Sequence, residues 1–362
     1  MKKAAVIMAG GKGTKLWPRS TEDKPKQFIH LIGDGTMIQN TFTRIREVFD
    51  IEDIYVVIYR ELYNLVIEQL PELNRDNIIV EPFGRNTAPA LILTYLQLKQ
   101  NYGPDDIMLA FPADHVIINE GEFFNRIETA AITASETNGL VTLGIEPTRP
   151  ETQFGYVQID EYDSEGLGTL FDAGVRKSRI FAEKPDAGTA QRFLQSGDFL
   201  WNSGIFIWKM DTFAKAYKKY MPDHADVFTP LENKVENEDF FSDIESAYRK
   251  IDPISIDYGI LEKATNVYVV KSFFNWSDVG TWDELYRLSM KDPKNNVVEG
   301  DVITIKTTNS LISANSKFIA AVGVSDLIVI DSEDAVFICK RGDSESIQEA
   351  IDFMRRKHIN KL

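Results

Sequence analysis

An α/β fold, Rossmann-like with a doubly wound sheet of mixed or parallel strands and a small C-terminal β unit, is predicted by three features of this 362-residue sequence. Short apolar runs alternate with longer stretches of helical period through residue 145. A glycine cluster stands directly after the first apolar run. Beyond residue 296, short strand-like runs recur about every 8–9 residues.

The apolar runs at 4–8, 54–59, 78–80, 107–111 and 140–144 are continuous, as expected of strands buried on both faces. Helical period marks 37–48, 61–70, 86–100 and 121–137. The third of these helices starts clearly: Asn86 or Thr87 can cap it, Pro89 falls in its first turn, and Ala90, Leu91, Thr94, Tyr95 and Leu98 recur three to four residues apart. This βαβα rhythm places ligands at the carboxyl ends of the strands. From 151 to 285 the pattern is mixed, with strand-like pieces at 155–159, 179–183, 204–208 and 267–270, which extend the sheet or form a lid. The polar stretch 291–296, with Pro293, reads as a linker. Two domains are therefore expected, 1–290 and 291–362. The second has strand-like runs at 302–305, 310–313, 318–322, 327–330 and 335–339, a small all-β unit for which a β-helix fragment is one form. Ile347, Ala350, Ile351 and Met354 then share one helix face, which either docks on its own chain or makes a homodimer contact.

Composition narrows the function. With 43% hydrophobic and 26% charged residues the chain is an ordinary globular one, and no apolar run reaches the roughly 18 residues of a membrane span. Against 55 Asp and Glu stand 40 Lys and Arg, a net charge of −15. The molecular field repels polyanions, so nucleic acid is not an expected partner, nor is a membrane. Any bound phosphate must be small and held locally. The lone Cys339, beside Phe337 and Ile338, reads as a buried structural thiol in a reducing compartment. The apolar stretch after Lys2 and Lys3 ends at Ala9, short of the ~7–15 residues of a signal peptide. A cytoplasmic protein is expected.

The stretch Gly10-Gly11-Lys12-Gly13-Thr14-Lys15-Leu16-Trp17-Pro18 carries the strongest signal. Glycines after a strand let backbone N–H groups approach an anion, and nearby lysines neutralise it. A tight turn with incidental lysines gives the same letters. Favouring the phosphate loop, residues 1–26 hold seven Lys and Arg against Glu22 and Asp23, reversing the sign of the whole chain. The spacing fits neither a dinucleotide fingerprint nor a GxxxxGK[ST] loop.

With Lys24-Pro25-Lys26-Gln27-Phe28 after it, this stretch resembles the signature of sugar-1-phosphate nucleotidylyltransferases, and among them the mannose-1-phosphate guanylyltransferases. Further family-like strings follow in order: Glu81-Pro82-Phe83-Gly84-Arg85-Asn86-Thr87-Ala88-Pro89, Pro112-Ala113-Asp114-His115, Phe154-Gly155-Tyr156, Phe181-Ala182-Glu183-Lys184-Pro185, Trp201-Asn202-Ser203-Gly204, Ser255-Ile256-Asp257-Tyr258 and Trp276-Ser277-Asp278-Val279-Gly280-Thr281-Trp282. One departure stands out: Lys15 replaces the family's usual Arg, keeping the charge and losing the planar fork.

The resemblance implies a nucleotidyltransferase fold and transfer of GMP from GTP to α-D-mannose 1-phosphate. Lys15, Lys26, Asp114 and Asp278 would then be catalytic, and Asp114 and Asp278 would hold Mg²⁺, whose hard oxygen preference suits them. Gly10, Gly11, Gly13, Thr14, Lys15, Glu81, Asn86, Thr87 and Asp114 would bind the nucleotide. Gly155, Glu183, Lys184, Asn202 and Asp257 would bind the sugar phosphate. Read by themselves, Asp114 is equally a turn former, Asn86 or Thr87 a helix cap, Glu183 and Lys184 a solvated ion pair, and Trp201, Trp208, Trp276 and Trp282 core residues rather than pocket walls. Two other readings remain at this stage: another base or sugar 1-phosphate, or a non-catalytic subunit that binds sugar nucleotides.

Overall fold

The computed structural model describes residues 1–11 and 13–359; Lys12, read above as one of the loop's cations, lies outside the described residues. Packing divides the chain into two units that interleave along the sequence. One comprises Met1–Gly10, Phe42–Ala113 and Ile117–Trp276, the other Gly11–Thr41, Asp114–Val116 and Ser277–Leu362.

In chain order the strands begin with β1 (Lys3–Met8), β2 (Ile54–Tyr59), β3 (Ile78–Glu81), β4 (Ile107–Pro112) and the short β5 (Val116–Ile118). They continue with β6 (Leu140–Ile145), β7 (Gly155–Ile159), β8 (Val175–Glu183), β9 (Phe199–Lys209), β10 (Val267–Ser272) and the short β11 (Asn275–Ser277). In the first unit a nine-stranded sheet runs β3-β2-β1-β4-β9-β6-β10-β8-β7. The four earliest strands pair in parallel, with Ala5 opposite Ile54 and Leu109. The long β9 inserts antiparallel between β4 and β6, so the sheet is mixed. Its register with β6 shifts between Thr142 and Gly144, which sets Asn202 opposite Gly144. Ala4, Ala5, Val6 and Ile7 are fully buried, as the unbroken apolar run requires. The helix Thr87–Leu98 is buried almost all round and packs on β3 and β1. Trp201, Trp208 and Trp276 are core residues of this unit, with Phe154 packed edge-on against Trp201 and Trp276.

The second unit is built on β12 (Val297–Glu299), β13 (Val302–Ile305), β14 (Leu311–Ser313), β15 (Ile319–Val322), β16 (Leu327–Asp331) and β17 (Val336–Lys340). Strands β12, β14 and β16 pair in parallel in one sheet, while β13 and β15 pair in another, and β17 closes the first sheet antiparallel. From β12 to β16 successive strands thus alternate between two sheets, the coil of a β-helix. One turn of that coil needs glycine: Gly300 has φ +77°, and a Cβ there would lie 2.1 Å from the Ala314 carbonyl oxygen. The stretch 291–296 is a fixed turn rather than a loose linker, with buried Asn296 held by Asp292 and donating to the Thr307 carbonyl at 2.9 Å. Leu16, Trp17, Trp282, Leu311, Ile330 and Ile351 share the core of this unit. On the helix Ile347–Arg356, Ile347, Ile351 and Met354 are buried in the core of their own chain, whereas Ala350 is exposed. Cys339 is half-buried rather than fully so; burial, with the charges of Asp283 and Asp343, pushes its thiol up to about 11 and keeps it inert.

Candidate active site

In the second unit the glycine loop meets a buried lysine. Gly13 has φ +50°, and a Cβ on it would lie 2.7 Å from the Lys26 backbone nitrogen, so both the left-handed backbone and the close approach demand glycine. Gln27 Nε2 donates to the Gly11 carbonyl at 2.8 Å, closing the loop from the other side. Thr14, Lys15 and Leu16 form one 3-10 turn that leaves Lys15 exposed and Leu16 buried.

Lys26, buried, sends its ammonium to Asp114 Oδ2 at 2.8 Å and to the backbone carbonyl of Asp278. Residues 164 positions apart in sequence are thereby joined through one cation. Burial would push the Asp114 carboxyl up, but the charges of Lys26 and His115 and the Lys26 bond outweigh it, and Asp114 lies below its usual range. For Asp278 the balance goes the other way: burial and the charge of Asp114 raise it against Lys26 and Lys15. The backbone here is strained, since Val279, β-branched, holds φ +44°. It is kept there by Ser277, whose hydroxyl accepts from Val279 N at 3.1 Å and donates to Glu284 at 2.6 Å.

Two carboxylates in electrostatic reach of each other, of which only Asp114 is paired with the Lys26 ammonium, leave negative charge for a further cation to offset. Among the described residues no cluster of three or more metal-ligating side chains exists. That donor set suits a hard divalent ion that takes one or two protein carboxylates and completes its shell with phosphate oxygens and water, and does not suit a resident all-protein metal centre.

The first unit carries two further groups. Glu81, buried at the end of β3, accepts a hydrogen bond from Tyr248 Oη at 3.1 Å, and its other oxygen lies 3.2 Å from where a Gly10 Cβ would stand. Burial raises this carboxyl to about 8, against the pull of the Tyr248 bond. Asn86 does cap its helix, accepting from Thr87 N at 2.8 Å, and the Thr87 hydroxyl accepts from Ile256 N at 2.9 Å. That bond sets the start of the helix one residue from Asp257.

Around Asp257 the remaining expected residues converge. Asn202 Nδ2 donates to Asp257 Oδ1 at 3.0 Å, while its Oδ1 accepts from the Thr142 hydroxyl at 2.8 Å, fixing which way the amide points. Gly155 faces Glu183, and a Cβ there would lie 2.4 Å from Glu183 Oε2. Lys184, at φ +48°, turns back to pair with Glu183 at 2.8 Å. Burial and the Glu183 charge raise Asp257 to about 7. The expected residues thus fall into a loop-lysine-aspartate group in one unit and a base-side and an acid-amide-lysine group in the other. Sequence reasoning missed Tyr248, Thr142 and Ser277, which orient Glu81, Asn202 and the Asp278 segment. Tyr248 stands 167 positions from Glu81, and no local pattern signals that pairing.

Comparison with known proteins gives the class of this chain, a nucleotidyl transferase. Residues 4–295 match the nucleotidyl transferase family, and residues 300–353 match the MannoseP isomerase/GMP-like beta-helix domain. A mannose-1-phosphate guanylyltransferase of Klebsiella pneumoniae is 38% identical over 354 residues, 97% of this chain and 74% of that one. The mannose-1-phosphate guanylyltransferase ManC of Salmonella typhimurium is 38% identical over 351 residues, 96% of this chain and 72% of its own. The crystal structure of the mannose-1-phosphate geranyltransferase from Thermus thermophilus superposes with a TM-score of 0.87 at 30% identity, covering 98% of this chain and 100% of that one. The chain belongs to the mannose-1-phosphate guanylyltransferases of the nucleotidyl transferase family. Enzymes of this family generally use a divalent metal ion. Among the described residues no helix is long and apolar enough to cross a membrane.

Proposed function

We propose that this enzyme transfers GMP from GTP to α-D-mannose 1-phosphate, releasing pyrophosphate and forming GDP-mannose, with Mg²⁺ as its ion. The observation that carries this reading is the packing of Gly13 on Lys26, whose ammonium joins Asp114 to the Asp278 segment. A phosphate oxygen of the sugar phosphate attacks the α-phosphorus of GTP in line, and the bond from that phosphorus to the pyrophosphate oxygen breaks. The attacking phosphate already carries its second negative charge near neutral pH, since its second pKa is ~6, so no general base is required. Catalysis is then positioning and charge stabilisation.

The backbone N–H groups of Gly10, Gly11, Gly13 and Thr14, with Lys15 and Lys26, would hold the triphosphate. Glu81, Asn86 and Thr87 would read the base. Glu183, Asn202 and Asp257, with Gly155 leaving room, would bind sugar hydroxyls, and Lys184 would hold the attacking phosphate. Asp114 and Asp278 would hold the ion, which when bound neutralises charge on the reacting phosphates. Asp114→Asn and Asp278→Asn each test this: turnover should fall at least ~1,000-fold, a loss of roughly 4 kcal/mol in transition-state stabilisation, with folding intact. Near-wild-type turnover of either variant at saturating Mg²⁺ removes that residue from the site.

A further inference from the structure

The C-terminal coils hold the phosphate loop by a route that leaves a specific trace. Leu16, next to Lys15, is tied at both backbone ends: its N–H donates to Ser20 Oγ at 3.1 Å, and its carbonyl accepts from Arg19 N at 3.1 Å and Ser20 N at 3.0 Å. Arg19 in turn reaches into the coils. Its guanidinium donates to Ser313 Oγ on β14 and lies 3.5 Å from Glu299 Oε2 on β12. Ser313 Oγ itself donates to that same Glu299 oxygen at 2.6 Å, so the three side chains form a closed triad. The Arg19 side chain is only 18% exposed, which shields the contact from solvent screening. Just upstream, the Trp17 carbonyl accepts from Trp282 Nε1 at 3.0 Å, on the helix that follows Asp278.

We propose that Arg19 is a positioning residue for the phosphate loop, clamping Thr14–Leu16 through Glu299 and Ser313 so that the loop is held in register before nucleotide arrives. Arg suits this role because its planar fork bonds a hydroxyl and a carboxylate at once, whereas a lysine offers a single point charge. The β coils thereby become part of the catalytic apparatus, in addition to packing on it. The inference rests on the reading that this loop holds the triphosphate, where small displacements of a binding group are costly.

The test uses the full chain with Arg19→Ala, Arg19→Lys and the milder Ser313→Ala. Arg19→Ala should raise KM for GTP about tenfold or more, the size expected on losing a group that orients a ligand-binding one, and leave KM for mannose 1-phosphate unchanged. Arg19→Lys should fall between it and wild type, and Ser313→Ala should move the same parameter in the same direction. Amide hydrogen exchange at residues 13–17 should quicken in Arg19→Ala while the first unit's sheet stays protected. Unchanged GTP affinity with unchanged exchange at 13–17 overturns the proposal, as does a rise in both KM values together, the mark of general loosening. A wild type that neither binds nor turns over GTP refutes the triphosphate reading instead, and the exchange data then still decide whether Arg19 holds the loop.

Discussion

Lys26 is the joint of the proposed site, and a double-mutant cycle with Asp114 measures it. The pair lies at 2.8 Å, with side-chain exposures of 6% for Lys26 and 35% for Asp114. Unit charges 4 Å apart attract by about 4 kcal/mol at an effective dielectric of 20, which sets the ceiling. Desolvation of the buried ammonium and the partial exposure of Asp114 offset much of that, leaving a coupling of about 2 kcal/mol. Lys26→Met alone strips Asp114 of its partner and should cost about 3 kcal/mol, toward the lower end for breaking a buried pair. Asp114→Asn alone leaves the ammonium short of an anionic partner. The double variant should then be more stable than the sum of the two losses by about 2 kcal/mol. The assay is urea unfolding of the four proteins near neutral pH with a chelator present, so that no divalent ion contributes. Losses that add within about 0.5 kcal/mol would refute the argument, because residues without direct interaction behave that way.

Three further outcomes are expected. Gly13→Ala adds a left-handed strain of about 1–2 kcal/mol and a Cβ 2.7 Å from a backbone nitrogen; kcat/KM should fall about a hundredfold with the far-ultraviolet dichroism unchanged, and a fully active variant would detach the loop from the reaction. Glu81 is raised to about 8 from an ordinary 4.5, so between those values the folded state holds a proton that the unfolded state releases, and stability falls as pH rises through that window. Glu81→Gln removes this slope, so its Tm should gain on wild type from pH 5 to pH 8, and parallel Tm curves would contradict the buried, protonated carboxyl. Lys15→Arg should raise kcat by restoring the planar fork, while Lys15→Ala should nearly abolish turnover; an unaffected Ala variant would take Lys15 out of the mechanism.

Much of this architecture was legible in the letters, because its signals are local. Continuous apolar runs announced β1, β2 and β4, and the capping Asn86 announced its helix, since burial on two faces and an orphaned helix N-terminus are satisfied by neighbours in sequence. The short strands of the coils were legible by their spacing for the same reason. The insertion of β9 between β4 and β6, and the recruitment of residues 11–41 to the unit that carries the coils, are long-range pairings that no window of sequence contains. Within the site, glycines and acids were visible as residue types, and the family resemblance gave them roles. The groups that orient them were not: Tyr248 on Glu81, Thr142 on Asn202 and Arg19 on Glu299 act across at least 60 positions. Lys184 and Asp257 likewise meet only through folding, and it is burial and the Glu183 charge, against the pull of Lys184, that raise Asp257 to about 7.

The most direct measurement is pyrophosphate release with Mg²⁺ over a grid of GTP, ATP, UTP, CTP and dTTP against mannose, glucose and galactose 1-phosphates. GTP with mannose 1-phosphate should dominate the grid. A different dominant pair would contradict the assigned substrates while keeping the chemistry, and silence across the grid, with GTP still raising the Tm, would contradict catalysis itself and leave a nucleotide-binding protein.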